Sequence, residues 1–205
     1  MASLPSRSTL VRAVVVMMAA FSLASCGLNS IPTAEENAKA KWADVQAQYQ
    51  RRADLVPNLV ATVKAAGKQE QGTLVKVTEA RAKATSVTLS ASDLSDPAKV
   101  KAYQDAQSQL STALRGFTAI SEAYPDLKAN DNYQTLMSQL EGTENRITVA
   151  IRDYNEAVQA FNTRIRTFPD MIGAKVIYGS KPMTPFAAAA GADKAPDVGA
   201  AFNGS

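Results

Sequence analysis

Eleven residues near the middle of the C-terminal half constrain this chain most. Tyr133, Met137, Leu140, Glu144, Ile147, Ile151, Tyr154, Val158, Phe161, Ile165 and Phe168 follow one another by steps of four and three in strict alternation. Five heptads of that pattern place one stripe along a helix and bury it against other helices by knobs-into-holes packing. The same rhythm recurs upstream. Trp42, Val45, Tyr49, Arg52, Val56, Leu59, Val63 and Ala66 form one seam, Leu74, Val77, Arg81 and Ala84 a second, and Val100, Tyr103, Gln107, Leu110, Leu114 and Phe117 a third. The spacing predicts helices over about 34–68, 69–89, 97–124 and 130–168. Thr33 with Glu36 fits a capping box for the first, Asp96-Pro97 starts the third, and Pro125 and Pro169 end the last two. Pro57, inside the first helix, removes one hydrogen bond and predicts a kink near Ala53. No strand pattern persists beyond a few residues. The expected fold is all-α: an antiparallel long-helix bundle of four helices, up-down-up-down, with a left-handed supercoil and a flexible C-terminal tail.

The chain's one cysteine fixes where it works. Arg7 and Arg12 precede the apolar stretch Ala13–Leu23, and Leu23-Ala24-Ser25-Cys26 follows. A cationic start, an apolar middle and small residues before a cut describe an export signal. The apolar run falls short of the roughly 20 residues that a spanning helix needs. The box ending in cysteine resembles the lipobox of bacterial lipoproteins. That likeness implies cleavage before Cys26 and a diacylglyceryl (palmitate-type) thioether on it, holding the protein to a membrane by lipid. Gly27 after the cysteine, with no aspartate there, points to the outer membrane, facing the periplasm, in an organism with two membranes. The domains read as a lipoprotein signal peptide over 1–25, a tether over 26–33, a bundle over 34–168 and a low-complexity, mostly disordered tail over 169–205. Val176, Ile177 and Tyr178, or Phe186, are the residues that could tack that tail to the bundle.

Composition excludes several chemistries. The net charge is +3, but losing Arg7 and Arg12 with the signal leaves 20 basic residues against 19 acidic. Nucleic acid is therefore not an expected partner. With no histidine and the single cysteine at the lipidation site, Ser-His-Asp and Cys-His catalysis and Cys/His metal sites are all excluded. An enzyme would have to run on carboxylates, lysine, tyrosine or an oxygen-bound hard metal. We expect no catalytic residues, no cofactor and no metal.

The anomaly lies inside the seams. Arg52, Arg81, Gln107 and Glu144 occupy positions that periodicity sends to the interior. Counting along antiparallel first and last helices brings Arg52 and Glu144 to within roughly 7 Å in height, which their side chains can bridge. A buried polar layer is expected in which Glu144 accepts hydrogen bonds from Arg52, Arg81 or both. Two readings stay open. The layer sets helix register, as buried polar groups do in coiled coils, or it forms a charged pocket for an ion, an acid or a partner's side chain. Arg51-Arg52 alone is too small a cluster for phosphate binding, and Trp42 and Tyr49 read as core rather than as a stacking platform.

These motifs carry a family likeness. Arg51-Arg52-Ala53-Asp54-Leu55-Val56-Pro57-Asn58-Leu59-Val60, Glu79-Ala80-Arg81, Leu140-Glu141-Gly142-Thr143-Glu144-Asn145-Arg146-Ile147 and Tyr154-Asn155-Glu156-Ala157-Val158 resemble, in order, the signature of the LemA family of bacterial envelope proteins. Phe161-Asn162 and Phe168-Pro169 extend the match, which covers about Trp42 to Phe168. The resemblance implies a four-helix bundle outside the cytosol and brings no established activity or catalytic residues. Family members commonly carry an N-terminal transmembrane helix, and a lipobox in that place is a departure. The expected function is a lipid-anchored, non-enzymatic interaction or scaffold module of the cell envelope, with an envelope protein as partner. The alternative is a ligand- or ion-binding protein using Arg52, Arg81 and Glu144. Oligomeric state is not set by the sequence.

Overall fold

The computed structural model describes residues 29–66 and 71–187. The signal peptide, Cys26 and residues 188–205 lie outside the described residues. The described chain is all-helical, without a strand. Three long helices and one shorter one dominate: α1 (Ser30–Ala65), α2 (Gln71–Ser86), α3 (Pro97–Ala123) and α5 (Asp131–Arg164). A 3₁₀ turn (Ala91–Ser95) precedes α3, the single turn α4 (Pro125–Lys128) joins α3 to α5, and α6 (Asp170–Gly173) runs into a π-helical turn, Ala174–Tyr178. No helix among the described residues is long and apolar enough to cross a membrane.

Capping chemistry places two of the starts where the sequence put them. Asp96 accepts hydrogen bonds from the backbone N–H groups of Ala98 and Lys99, with Pro97 at the first helical position. Asn130 accepts from the N–H of Tyr133 at 3.0 Å and starts α5. The first helix departs from expectation. It begins at Ser30, inside the stretch read as tether, and Thr33 donates back to the Asn29 carbonyl as a helical residue rather than capping Glu36. Burial explains this: Ile31 is completely enclosed, and Pro32 falls in the first turn, where its missing N–H has no helical partner to lose. At the other end α5 stops at Arg164, and Phe168, the last residue of its seam, is exposed.

The seams meet as pairs. Trp42 lies against Tyr154, and Ser30 donates to Asp170 at 2.7 Å, so α1 and α5 run in opposite directions along their length. Gln107 of α3 donates to the Ala84 carbonyl of α2. The core is in two parts. One apolar cluster gathers Trp42, Tyr49, Tyr103 and Tyr154 around the start of α1 and the end of α5. The other gathers Leu59, Val63, Phe117 and Leu127 around the end of α1 and the α3–α5 connection. Between them sits a polar layer.

The segment after α5 is not free of the bundle. Met183 and Phe186 are buried, and Phe186 stacks among Trp42 and Tyr154 with ring centroids 5.6 Å from each. Asn155 both donates to the Phe186 carbonyl and accepts from its N–H, and Asn162 grips Met183 in the same two-bond way. Tyr154 Oη donates to the Thr184 carbonyl, while the Thr184 N–H reaches the Leu94 carbonyl at 2.8 Å. This strap departs from a tail expected to be mostly disordered. Of the contacts foreseen, Phe186 makes one; Val176 and Ile177 stand open to water, and Tyr178 is partly exposed.

Candidate functional site

Three helices build the polar layer. Arg52 projects from α1, Gln107 and Ser111 sit one turn apart on α3, and Glu144 comes from α5. The Arg52 guanidinium is 1% exposed. Its Nη1 donates to Ser111 Oγ at 2.5 Å and to Glu144 Oε1 at 2.9 Å. Its Nη2 donates to both the backbone and the side-chain oxygen of Gln107, at 3.0 and 2.8 Å. The Gln107 amide in turn donates to the Ala84 carbonyl, which ties α2 into the same network. The guanidinium carbon stands 4.9 Å from the Tyr49 ring centroid, adding a cation–π contact. One donor, Nε, is buried without a partner. A charge this enclosed is tolerable only when paired and hydrogen-bonded, and the layer supplies both.

Glu144 is placed differently from its partner. Its side chain is 40% exposed, so water still reaches the carboxylate. It lines two open clefts, one of about 810 Å³ shared with Tyr49, Gln107 and Phe186, and one of about 780 Å³ shared with Leu114, Tyr133 and Met137. Ser111 and Arg115 line both as well. The pairing of Arg52 and Glu144 was readable from the seam. The Gln107 contact was half readable, since its inward position was clear but its partner was not. Ser111 was not readable, because a serine one turn beyond a seam glutamine carries no signal of its own.

Arg81 joins a different partner. Seam spacing offers it to Glu144, but its Nε donates to the Ala53 carbonyl at 2.8 Å. Ala53 is four residues before Pro57, and proline has no N–H to offer it. Arg81 therefore fills the gap in α1 left by Pro57, and does so from α2. The predicted vacancy near Ala53 and the inward arginine on the second helix were both visible in the sequence. What joins them is the packing of α2 on α1.

Burial shifts the tyrosines around the layer. Removal from water pushes Tyr103 up to about 12, a rise that nearby Arg52 partly offsets. Tyr49 and Tyr154 are raised further, again chiefly by burial. Such tyrosines stay neutral at physiological pH, Tyr154 donating to the Thr184 carbonyl, and none is tuned toward proton abstraction. Among the described residues no group of three His, Cys, Asp or Glu side chains is placed to hold a metal ion. Chemically, the layer can tie helices together and can offer one hydrated carboxylate to an open cleft.

Comparison with known proteins bears on this geometry. The model of the LemA family matches residues 41–199, which include Arg52, Arg81 and Glu144. Protein LemA of Metamycoplasma hominis is 29% identical over 125 residues, 60% of this chain and 52% of that protein. Magnetosome protein MamQ 2 of Paramagnetospirillum magneticum is 25% identical over 181 residues, 80% of this chain and 66% of that protein. MamQ 1 of the same organism matches to the same extent. The chain thus spans about half the length of the first of these relatives.

Proposed function

This chain belongs to the LemA family, and from that premise we propose that it is a lipid-anchored helical bundle of the cell envelope acting as a non-enzymatic interaction or scaffold module. In this reading Cys26 carries the lipid, and the protein faces the periplasm from the outer membrane where two membranes exist. The four principal helices form the up-down-up-down antiparallel bundle, and an envelope protein is the partner. Two relatives are named for the magnetosome, and a membrane setting for this chain is in keeping with that name.

One observation carries the scaffold reading. Every hydrogen bond that Arg52 donates ends on an acceptor inside the bundle, and Arg81 is engaged with the Ala53 carbonyl. Charges so placed join α1, α2, α3 and α5 and have little left for a substrate. The partner-facing surface includes Pro57 and Asn58, which are exposed directly above the carbonyl that Arg81 caps. Site-specific photo-crosslinking tests this in the full chain. A crosslinker at Asn58 should yield one discrete adduct in envelope membranes, and one at Val75 should not. Repeated absence of any adduct from Asn58 removes the reading.

A second reading has its own observation. Glu144 is half-exposed where two clefts meet, so the layer could also bind a small cation or a basic side chain there. Screening divalent cations and short basic peptides for a rise in melting temperature addresses it. A rise that persists in Glu144→Gln excludes the layer as the site.

A further inference from the structure

The largest unexplained feature of the surface lies where α5 gives way to the strap. Phe168 is 77% exposed and Val176 79%, and Met171, Ile172, Ile177 and Tyr178 are also open to water. Six large apolar side chains within eleven residues are far denser than the scattered exposed leucines and valines of an ordinary surface. Phe168 precedes two consecutive short turns, α6 and the π-helical turn, which carry the other five and whose small residues Gly173 and Ala174 face the bundle. The turns therefore put their large side chains outward and their small ones inward, the reverse of the four principal helices.

Position identifies the occupant. The Asp170 carboxylate accepts a hydrogen bond from Ser30 at 2.7 Å, and Ala174 belongs to the same cluster as Ile31. The apolar turns are thus fastened to the first turn of α1. Cys26 is four residues before Ser30, a stretch of chain that spans at most about 14 Å. Charge agrees with position: along the chain Arg164, Arg166, Lys175 and Lys181 flank and interrupt the turns, with Asp170 the one acid between residues 164 and 181, and it is turned to Ser30 and Arg164. Glu35 and Glu36 at the adjacent start of α1 are both paired with Lys39. Apolar side chains interspersed with cations suit the interface of an anionic bilayer, where apolar groups enter the headgroup boundary and lysine or arginine meets phosphate.

We propose that the exposed apolar turns Phe168–Tyr178 are a membrane-contact site that inserts into the surface of the bilayer to which the protein is attached. This rests on the membrane-attachment reading above and adds a second, non-covalent contact. Two contacts at one end of a long bundle fix its tilt: the molecule stands on the membrane, and the distal end bearing Leu127 and Val63 points away from it. A single lipid tether could not set that orientation.

The test uses the full chain isolated from membranes and reconstituted into vesicles of phosphatidylethanolamine and phosphatidylglycerol. Val176→Cys, Ile172→Cys and, as control, Val75→Cys each carry an environment-sensitive fluorophore. Val75 is also exposed but lies beside Leu74 in the distal cluster. Flotation with the vesicles reports attachment, and quenching by iodide reports insertion. We expect the protein to float in all three cases, with quenching at 172 and 176 reduced about threefold or more relative to 75, as for groups lying 5–10 Å into the interface. Protein that floats while 172 and 176 are quenched as strongly as 75 overturns the insertion site and leaves attachment intact. Protein that does not float overturns the attachment reading itself. Shielding of 172 and 176 without vesicles shows that copies of the chain cover the turns, and overturns the lipid contact.

Discussion

At the scale of single residues the polar layer is asymmetric, and the asymmetry decides how substitutions behave. Arg52 is enclosed, whereas the Glu144 side chain is 40% exposed. Removing Glu144 strands a buried cation, which typically costs about 3–5 kcal/mol. Removing Arg52 leaves a carboxylate that water can solvate and mainly deprives Gln107 of a donor, about 1–3 kcal/mol. Urea unfolding should therefore rank Glu144→Leu as less stable than Arg52→Met, with the double variant recovering much of the loss. The opposite ranking would mean that the Arg52 packing, not its charge, dominates. A double variant that loses its helical, monodisperse state would show the layer to be the device that sets register. How much of this was legible depends on the residue. Arg52 and Glu144 announce themselves as charges at apolar positions, and antiparallel counting brings them together. Gln107 announces only its direction, and Ser111 nothing, because a short hydroxyl is neutral in the periodic pattern.

At the scale of elements, two devices hold helices and strap where propensity alone would not. The first is the repair of α1. With Pro57 present, the Ala53 carbonyl takes its hydrogen bond from Arg81. Arg81→Met should cost about 1–3 kcal/mol, the penalty for a partly buried acceptor left unpaired. In a Pro57→Ala background the helix supplies its own N–H, and the same change should cost clearly less. Equal costs in the two backgrounds would show that Arg81 does not act as the cap. The second device is the pair of asparagines. Asn155 and Asn162 are seven residues apart, about 10.5 Å along a helix, and Met183 and Phe186 are three apart, about 10 Å along an extended chain. The match lets each carboxamide bond one backbone unit of the strap twice. Asn155→Ala with Asn162→Ala should free the strap, shift Trp42 emission to the red and speed amide exchange at Met183 and Phe186. Unchanged emission would mean that Phe186 alone holds the strap. Apart from Phe186, this element was hidden in the sequence for a physical reason. A strap held through its main chain needs no periodic side-chain pattern, so 179–187 looks like any Ala, Gly and Pro-rich tail. The cap at Asp96 was legible because its side chain makes the bond itself and Pro97 follows it.

At the scale of the whole molecule, the apolar cluster at the proximal end, around the start of α1, holds Tyr49, Tyr103 and Tyr154, and the chain has no histidine. Stability should then be nearly flat across neutral pH, since no side chain with an ordinary titration near 6.5 is present to couple to folding. The limit lies on the alkaline side. Burial raises Tyr49, Tyr103 and Tyr154 in the folded state, Tyr103 to about 12. An unfolded chain releases those protons near pH 10, while the folded one keeps them. The folded state thus binds more protons above pH 10. The stabilisation is complete below that pH and is lost as pH rises toward and through the folded value. Each such tyrosine steepens the loss by about 1.4 kcal/mol per pH unit while only the unfolded chain is titrating. Unfolding midpoints measured from pH 6 to 12 should hold level to about pH 10 and then fall. Tyrosinate absorbance for the buried rings should rise together with loss of helix, not before it. Tyr49→Phe removes one titrating group from the proximal cluster, so its alkaline slope should be shallower by one proton. A slope unchanged in Tyr49→Phe, or tyrosinate formation well ahead of unfolding, would mean that the cluster beneath the strap opens to water before the rest of the bundle. The proximal end would then be the first part of the molecule to yield.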